Sequence, residues 1–164
     1  MDLRLLPVTA DLLRDFDASV VEFWTAHRAR LGDVHDRARE VVKQTLDFHV
    51  RVPCEPGYGG FLAVEPVLSA VVGIGGFKGP PDAGGAIEIA YGTFPPFEGK
   101  GYATATAAAL IALARRHPRV RRILAHTLPE PNASTHVLKK NGLAFAGEVM
   151  DPEDGRVWRW ELPV

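Results

Sequence analysis

Residues 86–106 read AIEIAYGTFPPFEGKGYATAT, a strand pattern that leads through two prolines and a glycine-rich turn into an alanine-rich helix. Ile87 and Ile89 alternate with Glu88, which is the period of a β-strand. The glycines of 99–101 let the backbone turn sharply, so that several N–H groups face one point. A helix N-terminus adds free N–H donors and partial positive charge. The segment therefore predicts an anion site suited to a pyrophosphate.

The same turn has a simpler interpretation, because glycines between a strand and a helix can also close a tight connection that binds nothing. Two common phosphate loops are excluded. A Walker loop needs G-x-x-x-x-G-K-[ST], which the chain lacks. A Rossmann fingerprint needs a third glycine, where this chain has Thr104. It also needs an acidic residue at the end of the next strand, where the chain has His126 and Thr127.

The chain on either side of this unit predicts further strands and helices. We expect the order β, α, α, β, β, β, α, β, α, β, β, which is an α/β fold with a mixed, largely antiparallel sheet flanked by helices. One parallel crossover should lie within residues 86–128. Near the N-terminus, Thr9 is the expected cap of one long helix that Gly32 ends. Asp33 is the expected cap of the next helix.

Length and composition indicate one globular domain over residues 1–164. Of the 164 residues, 46% are apolar and 24% are charged, and the formal net charge is −1. No basic surplus predicts nucleic acid or an anionic membrane as a partner. A single cysteine, Cys54, excludes an internal disulfide and a multi-cysteine metal site. No apolar run suits a signal peptide or a membrane span. We therefore expect a cytoplasmic protein without a metal.

Two blocks of residues flank the predicted helix and strand that follow the turn. In the first block, Glu98, Gly101 and Ala103 stand at the key positions of a [Q/R]-x-x-G-x-[G/A] loop. The second block holds NAS at 132–134 and LKKNGL at 138–143. With this spacing, the stretch that contains both blocks resembles the GNAT acetyltransferases, particularly the branch that includes ribosomal-protein N-terminal acetyltransferases.

What the resemblance implies is an enzyme that transfers the acetyl group of acetyl-CoA to a primary amine by direct attack. The pyrophosphate would lie on the backbone of the loop, and the pantetheine arm would lie beside the strand before it. The N–H groups of residues 91–93 are the candidate oxyanion donors. The implied cofactor contacts are, in chain order, Tyr91, Gly92, Thr93, Glu98, Gly99, Lys100, Gly101, Tyr102, Ala103, Thr104, Asn132 and Ser134. Asn132 and Ser134 have a second interpretation as caps of the short helix that follows them.

Three features depart from the family pattern. Glu98 replaces the usual Gln or Arg, and a carboxylate that faces a pyrophosphate would be repelled. We therefore expect its side chain to point away while its N–H binds. Leu143 replaces the usual Phe, which is a packing change. The short helix at 134–141 lacks the Tyr that many members use to protonate the leaving thiolate, and neither Tyr91 nor Tyr102 is assigned that role.

Glu88 is the candidate general base. It lies in the strand beside the expected cofactor, on the face opposite to Ile87 and Ile89. Some family members use a Glu at this position, often through a water. The alternative is a partly solvated glutamate without a catalytic role, because other members need no dedicated base. His126 and His136 also lie near the expected cleft, where a lone histidine is more often structural.

Two other functions fit parts of the sequence. One is a non-catalytic acyl-CoA-binding or sensor module on the same fold. The other is a different nucleotide-binding α/β protein whose glycine loop matches by chance. The acceptor cannot be identified from the sequence, because the family covers protein N-termini, amino acids, polyamines, antibiotics and other small amines. A homodimer stays open.

Overall fold

One seven-stranded sheet runs through the computed structural model, which describes all residues from 1 to 164. The strands are, in chain order, β1 Arg4–Pro7, β2 Gly60–Glu65, β3 Ala70–Phe77, β4 Ala86–Thr93, β5 Arg122–Thr127, β6 Ala144–Asp151 and β7 Gly155–Pro163. Their order in the sheet is β1-β2-β3-β4-β5-β7-β6. Every neighbouring pair is antiparallel except β4 with β5. The predicted mixed, largely antiparallel sheet with one parallel crossover is confirmed.

Five α-helices cover the two faces of the sheet. They are α1 Ala10–Ala18, α2 Val20–His27, α3 His35–Arg51, α4 Tyr102–Ala114 and α5 Ala133–Lys140. The first three pack with Leu62, Val64 and Val71 in one buried cluster. Helices α4 and α5 pack with Ile87 and Ile89 in a second cluster on the opposite face. None of the helices combines the length and the apolarity that crossing a membrane requires.

The predicted first helix is broken into two. Thr9 caps α1 as expected, since its hydroxyl accepts the N–H of Leu12 at 3.1 Å. The helix then stops before Ser19, whose backbone is extended with φ −170°. The Ser19 hydroxyl accepts the N–H of Glu22 at 3.0 Å and so caps α2. A serine side chain offers backbone N–H groups a local partner, which ends one helix and starts the next.

The start of α3 also differs from the prediction. Helix α2 ends before Arg28, which is in the left-handed region at φ 50°, four residues before the expected stop at Gly32. Asp33 lies exposed in a single 3-10 turn, Gly32–Val34, and it caps nothing. Helix α3 follows without any side-chain cap, at Val34. Because the 3-10 turn occupies residues 32–34, helix α3 begins two residues after Asp33, which therefore does not cap it.

Strands β4 and β5 lie side by side only where they begin. Their pairing joins residues 86–88 of β4 to residues 122–124 of β5. Beyond these residues β4 continues to pair with β3 through Thr93, whereas β5 continues to pair with β7 through Thr127. The two strands therefore diverge, and a wedge opens between the last residues of β4 and the last residues of β5.

Candidate active site

On the edge of β4 that faces β3, the backbone N–H and C=O groups are all hydrogen-bonded within the sheet. In an antiparallel pair, every second residue exchanges hydrogen bonds with its partner. The N–H of Phe94 donates to Val72, and the N–H of Lys78 donates to the carbonyl of Glu88. With this register the even-numbered residues of β4, Gly92 included, bond to β3. Gly92 therefore has no N–H left for an oxyanion in the wedge.

The opposite edge of β4 supplies donors to the wedge. The alternation directs the N–H groups of Tyr91 and Thr93 away from β3, at the part of β4 that β5 no longer accompanies. The hydroxyl of Thr93 is also buried without a hydrogen-bond partner. Buried donors are normally satisfied. The end of β4 thus has the hydrogen-bonding capacity that an extended ligand in the wedge would use.

A row of free backbone N–H groups follows β4. Gly99 and Gly101 are left-handed, at φ 72° and 85°, which glycine adopts without strain. The first bond of α4 runs from the N–H of Ala105 to the carbonyl of Gly101 at 3.1 Å. Six consecutive N–H groups before it donate to no protein acceptor: those of Gly99, Lys100, Gly101, Tyr102, Ala103 and Thr104. Free donors at a helix N-terminus suit a phosphate, as the sequence predicts.

The side chains of this loop leave its backbone accessible. Tyr102 is buried in a small cluster, with its ring edge-on to Phe97, so only its N–H can reach a ligand at the loop. The Lys100 ammonium donates to the carbonyl of Pro96 at 3.0 Å and lies over the Phe97 ring. Glu98 is exposed. An anion at the loop would therefore meet main-chain donors.

Asn132 and Ser134 stand at the start of α5, near Tyr91. Asn132 and Thr135 cap the helix reciprocally, each side chain accepting the other's N–H at 3.0 Å. The Ser134 carbonyl lies 3.5 Å from the Tyr91 hydroxyl, which donates to it. Burial raises the pKa of Tyr91 to about 12, so its phenol stays protonated. The capping bond from Thr135 occupies the side-chain oxygen of Asn132, whereas the side-chain amide nitrogen of Asn132 donates to no protein acceptor.

Glu88 lies on the other face of β4, where one of its two oxygens is held firmly. Its Oε1 is 2.9 Å from Nδ1 of His126 and 3.2 Å from Nζ of Lys78. Nε of Arg159 donates to Nε2 of His126 at 3.3 Å. Because arginine can only donate, Nε2 of His126 accepts and its Nδ1 carries the hydrogen given to Glu88. The second oxygen, Oε2 of Glu88, has no protein partner.

Glu88 opens into a cavity of about 700 Å³ between α3, β3, β4 and the turn that joins β6 to β7. Its floor includes Gly76 and Ala90, which pair in register on neighbouring strands, and Gly92. None of the three has a side chain larger than a methyl group, so the space beneath α3 is not filled from the sheet. The cavity has the size of a small-molecule site.

Lys78 holds its charge within this cavity. Burial opposes the ammonium form, but the attraction of Glu88, Asp151 and Asp154 outweighs it, and the pKa of Lys78 is raised. The ammonium therefore stays paired with Glu88.

The sequence identifies Glu88 but not most of its partners. In the sequence His126 is a lone histidine near the expected cleft, and no pattern marks Lys78 or Arg159. In the structure Glu88 pairs with Leu124, so His126, two residues on, lies on the same face of the sheet as Glu88. Arg159 is the register partner of His126 on β7. His136 is exposed on α5 and takes no part in this cluster. No group of three His, Cys, Asp or Glu side chains is placed to hold a metal ion.

Several solved structures share this fold. A putative ribosomal-protein-serine acetyltransferase from Vibrio cholerae is 16% identical, with a TM-score of 0.69 over 100% of this chain and 95% of that chain. An acetyltransferase from Salmonella typhimurium that modifies the N-terminal serine of a ribosomal subunit protein is 17% identical, with a TM-score of 0.63 over 98% and 99%. The microcin self-immunity acetyltransferase MccE, solved with acetyl-CoA and AMP, is 14% identical, with a TM-score of 0.67 over 99% and 93%.

The TM-scores establish a common fold, and the low identities do not identify the acceptor. No curated protein matches the chain in sequence. The family model described as "Acetyltransferase (GNAT) domain" matches residues 2–144, which is most of the chain and includes the loop, the wedge and Glu88. The resemblance drawn from the glycine loop is confirmed, and the chain belongs to the GNAT acetyltransferase family.

Proposed function

We propose that residues 1–164 form a single N-acetyltransferase domain, which transfers the acetyl group of acetyl-CoA to a primary amine of a small molecule or a protein N-terminus. The observation that supports this most is the position of the wedge. The wedge opens beside the last residues of β4, some of which also line the cavity that contains Glu88, and β4 leads on to the free N–H groups of residues 99–104. A thioester in the wedge would face an amine in the cavity.

The cofactor would be bound mainly by the backbone. The pyrophosphate of acetyl-CoA fits the six free N–H groups before α4, where the helix dipole also favours an anion. The pantetheine arm fits the diverging edges of β4 and β5, where it can pair with the N–H groups of Tyr91 and Thr93. MccE, which has the same fold, was solved with acetyl-CoA, which supports this choice of cofactor.

Catalysis begins with the removal of a proton from the acceptor. An alkyl ammonium cannot attack a thioester, because its lone pair is bound to the proton. We assign the removal of this proton to Oε2 of Glu88, directly or through a water. The amine nitrogen then bonds to the carbonyl carbon of acetyl-CoA. The oxygen of the tetrahedral intermediate becomes negative, and the N–H groups of Tyr91 and Thr93 would stabilise it.

Collapse of the intermediate breaks the carbon–sulfur bond. The nitrogen releases its second proton to solvent, Glu88 later returns the first proton to solvent, and the products are the N-acetylated amine and free CoA. Tyr91 is a poor acid for the leaving sulfur, because its pKa of about 12 lies far above the value of about 8.5 that is usual for a thiol. The sulfur can leave as a thiolate and take its proton from solvent.

His126, Lys78 and Arg159 have a positioning role in this proposal. His126 and Lys78 both bind Oε1 of Glu88, which fixes the carboxylate and leaves Oε2 without a protein partner. Arg159 occupies Nε2 of His126 and so keeps the imidazole in the tautomer that donates to Glu88. A fixed carboxylate loses less freedom when the amine binds.

A ligand and turnover experiment tests this function. Thermal unfolding of the purified chain with acetyl-CoA, ATP or NAD measures which ligand binds, and a ligand at about 100 times its Kd stabilises by about 2.7 kcal/mol. Release of the CoA thiol with a panel of amines then measures turnover. We expect stabilisation by acetyl-CoA alone and thiol release that depends on an amine. Stabilisation without thiol release would indicate the non-catalytic acyl-CoA-binding module instead.

A further inference from the structure

The cavity that would receive the amine is acidic. Three carboxylates line it, those of Glu88, Asp151 and Glu153, against one ammonium, that of Lys78. His49 also lies in the lining, and burial lowers its pKa, which favours the neutral imidazole. The ionisable groups of the lining thus total a charge of −2. A cationic ligand is favoured over a neutral or an anionic one.

Two of the three carboxylates have no ion-pair partner. Lys78, the one cationic side chain of the lining, pairs with Glu88 at 3.2 Å. Oδ1 of Asp151 accepts the N–H groups of Glu153 at 2.8 Å and Asp154 at 2.9 Å, which fixes the turn between β6 and β7. Neither Asp151 nor Glu153 forms a salt bridge with a side chain of the chain. Asp151 attracts the Lys78 ammonium without forming a salt bridge with it, so the two carboxylates together still favour a second positive charge.

The cavity also has apolar walls. Val41 and Phe48 of α3, Val52 directly after α3, and Ile74 of β3 contribute to them, beside the floor of small residues. Such walls bind an alkyl chain or a ring and offer no cation to an acceptor's carboxylate. An amino acid would bring its carboxylate toward Asp151, Glu153 or Glu88, and like charges repel.

Resting on the proposed acetyl transfer, we infer that the acceptor is a small diamine with an apolar middle. One amine would lie at Oε2 of Glu88 and be acetylated. The second would stay charged and lie at Asp151 and Glu153 on the turn. The apolar segment between them would lie against Phe48 and α3.

Three acceptors of equal chain length test this inference. All three have a six-carbon chain that begins with a primary amine. The other end is an ammonium in hexamethylenediamine, a methyl in hexylamine and a carboxylate in ε-aminocaproate. We expect kcat/KM to be about tenfold higher for the diamine than for hexylamine, and lowest for ε-aminocaproate. A peptide with a free N-terminus is assayed beside them and should react more slowly than the diamine.

Variants of the turn locate the second charge. The double variant Asp151→Asn, Glu153→Gln should lower kcat/KM for the diamine about tenfold, to the level of hexylamine. Asn at position 151 keeps the oxygen that fixes the turn, so the hairpin should remain folded, which acetyl-CoA affinity and thermal unfolding will check. Glu148→Gln is the matched control, because Glu148 is exposed on β6, pairs with Arg156 and lies outside the cavity lining; the preference of this variant for the diamine should persist.

The outcomes separate this inference from the function on which it rests. Equal kcat/KM for the diamine and hexylamine would overturn the inference and leave acetyl transfer standing. Faster reaction of ε-aminocaproate or of the peptide would do the same. Binding of acetyl-CoA without acetylation of any of the four acceptors would overturn the proposed function itself, and the inference with it.

Discussion

Replacement of Glu88 by Gln should slow acetyl transfer strongly while cofactor binding stays intact. The amide has the length of the carboxylate, and its oxygen can still accept from Nδ1 of His126 and from Lys78. The substitution therefore preserves the shape of the cavity. What it removes is the basic oxygen, Oε2, that has no protein partner.

The size of the effect follows from the protonation of the acceptor. An alkyl amine with a pKa of about 10.4 is neutral in only about one molecule in 2,500 at pH 7. Without a base, the enzyme would depend on that fraction. A positioned general base typically contributes about 10² to 10⁴ in rate. We therefore expect Glu88→Gln to lower kcat by about 10² to 10³ near neutral pH.

The assay is kcat as a function of pH, with an acceptor found in the amine panel, together with calorimetric titration of acetyl-CoA. In Glu88→Gln the acidic limb of the pH–rate profile should flatten, and the acetyl-CoA Kd should stay within about twofold. Glu148→Gln is the matched control, because Glu148 is exposed on β6 and pairs only with Arg156. A fall in kcat of less than about threefold, with the acidic limb intact, would refute Glu88 as the base.

Three further substitutions test the loop and the positioning of the base. Gly101→Val should weaken acetyl-CoA binding by more than about tenfold, or about 1.4 kcal/mol. Gly57→Val is its control, because Gly57 also has a left-handed backbone and open space around it; this variant should lose folding stability only. Glu98→Gln should bind acetyl-CoA as well as the parent or better, and a tenfold loss in titration would reveal a positive role for the carboxylate. His126→Ala should lower kcat about tenfold and shift the pH–rate profile without changing acetyl-CoA affinity; an unchanged profile would limit His126 to packing.

Most of the fold was predictable because its signals are local. Alternating apolar residues and clusters of Gly and Pro mark the strands of the sheet, and 86–106 alone indicates the crossover unit. The break at Ser19 was not predictable from periodicity. The buried Phe16 and Phe23 keep a helical spacing across it, although the backbone at Ser19 is extended. A break in the helix that keeps the apolar residues at helical spacing cannot be detected from that spacing.

The candidate site was predictable where it depends on backbone and not where it depends on register. The glycine turn and the N-terminus of α4 are continuous in sequence, so their N–H groups could be expected to converge. The cluster at Glu88 includes Lys78, His126 and Arg159, which lie 10, 38 and 71 positions from Glu88 in the chain. Alternation gives the face on which each lies. Only the pairing of β4 with β3 and with β5, and of β5 with β7, brings them together.

The central claim is that an amine bound beside Glu88 attacks acetyl-CoA bound at the loop. It is tested most directly by counting the products of one reaction, with hexamethylenediamine and the other amines offered together with acetyl-CoA. Mass spectrometry measures the N-acetylated amine, and a thiol assay measures free CoA. The account predicts that both appear in equal amounts and that Gly101→Val reduces both together when acetyl-CoA is limiting. Acetyl-CoA that binds the chain but yields neither an acetylated amine nor free CoA would contradict it.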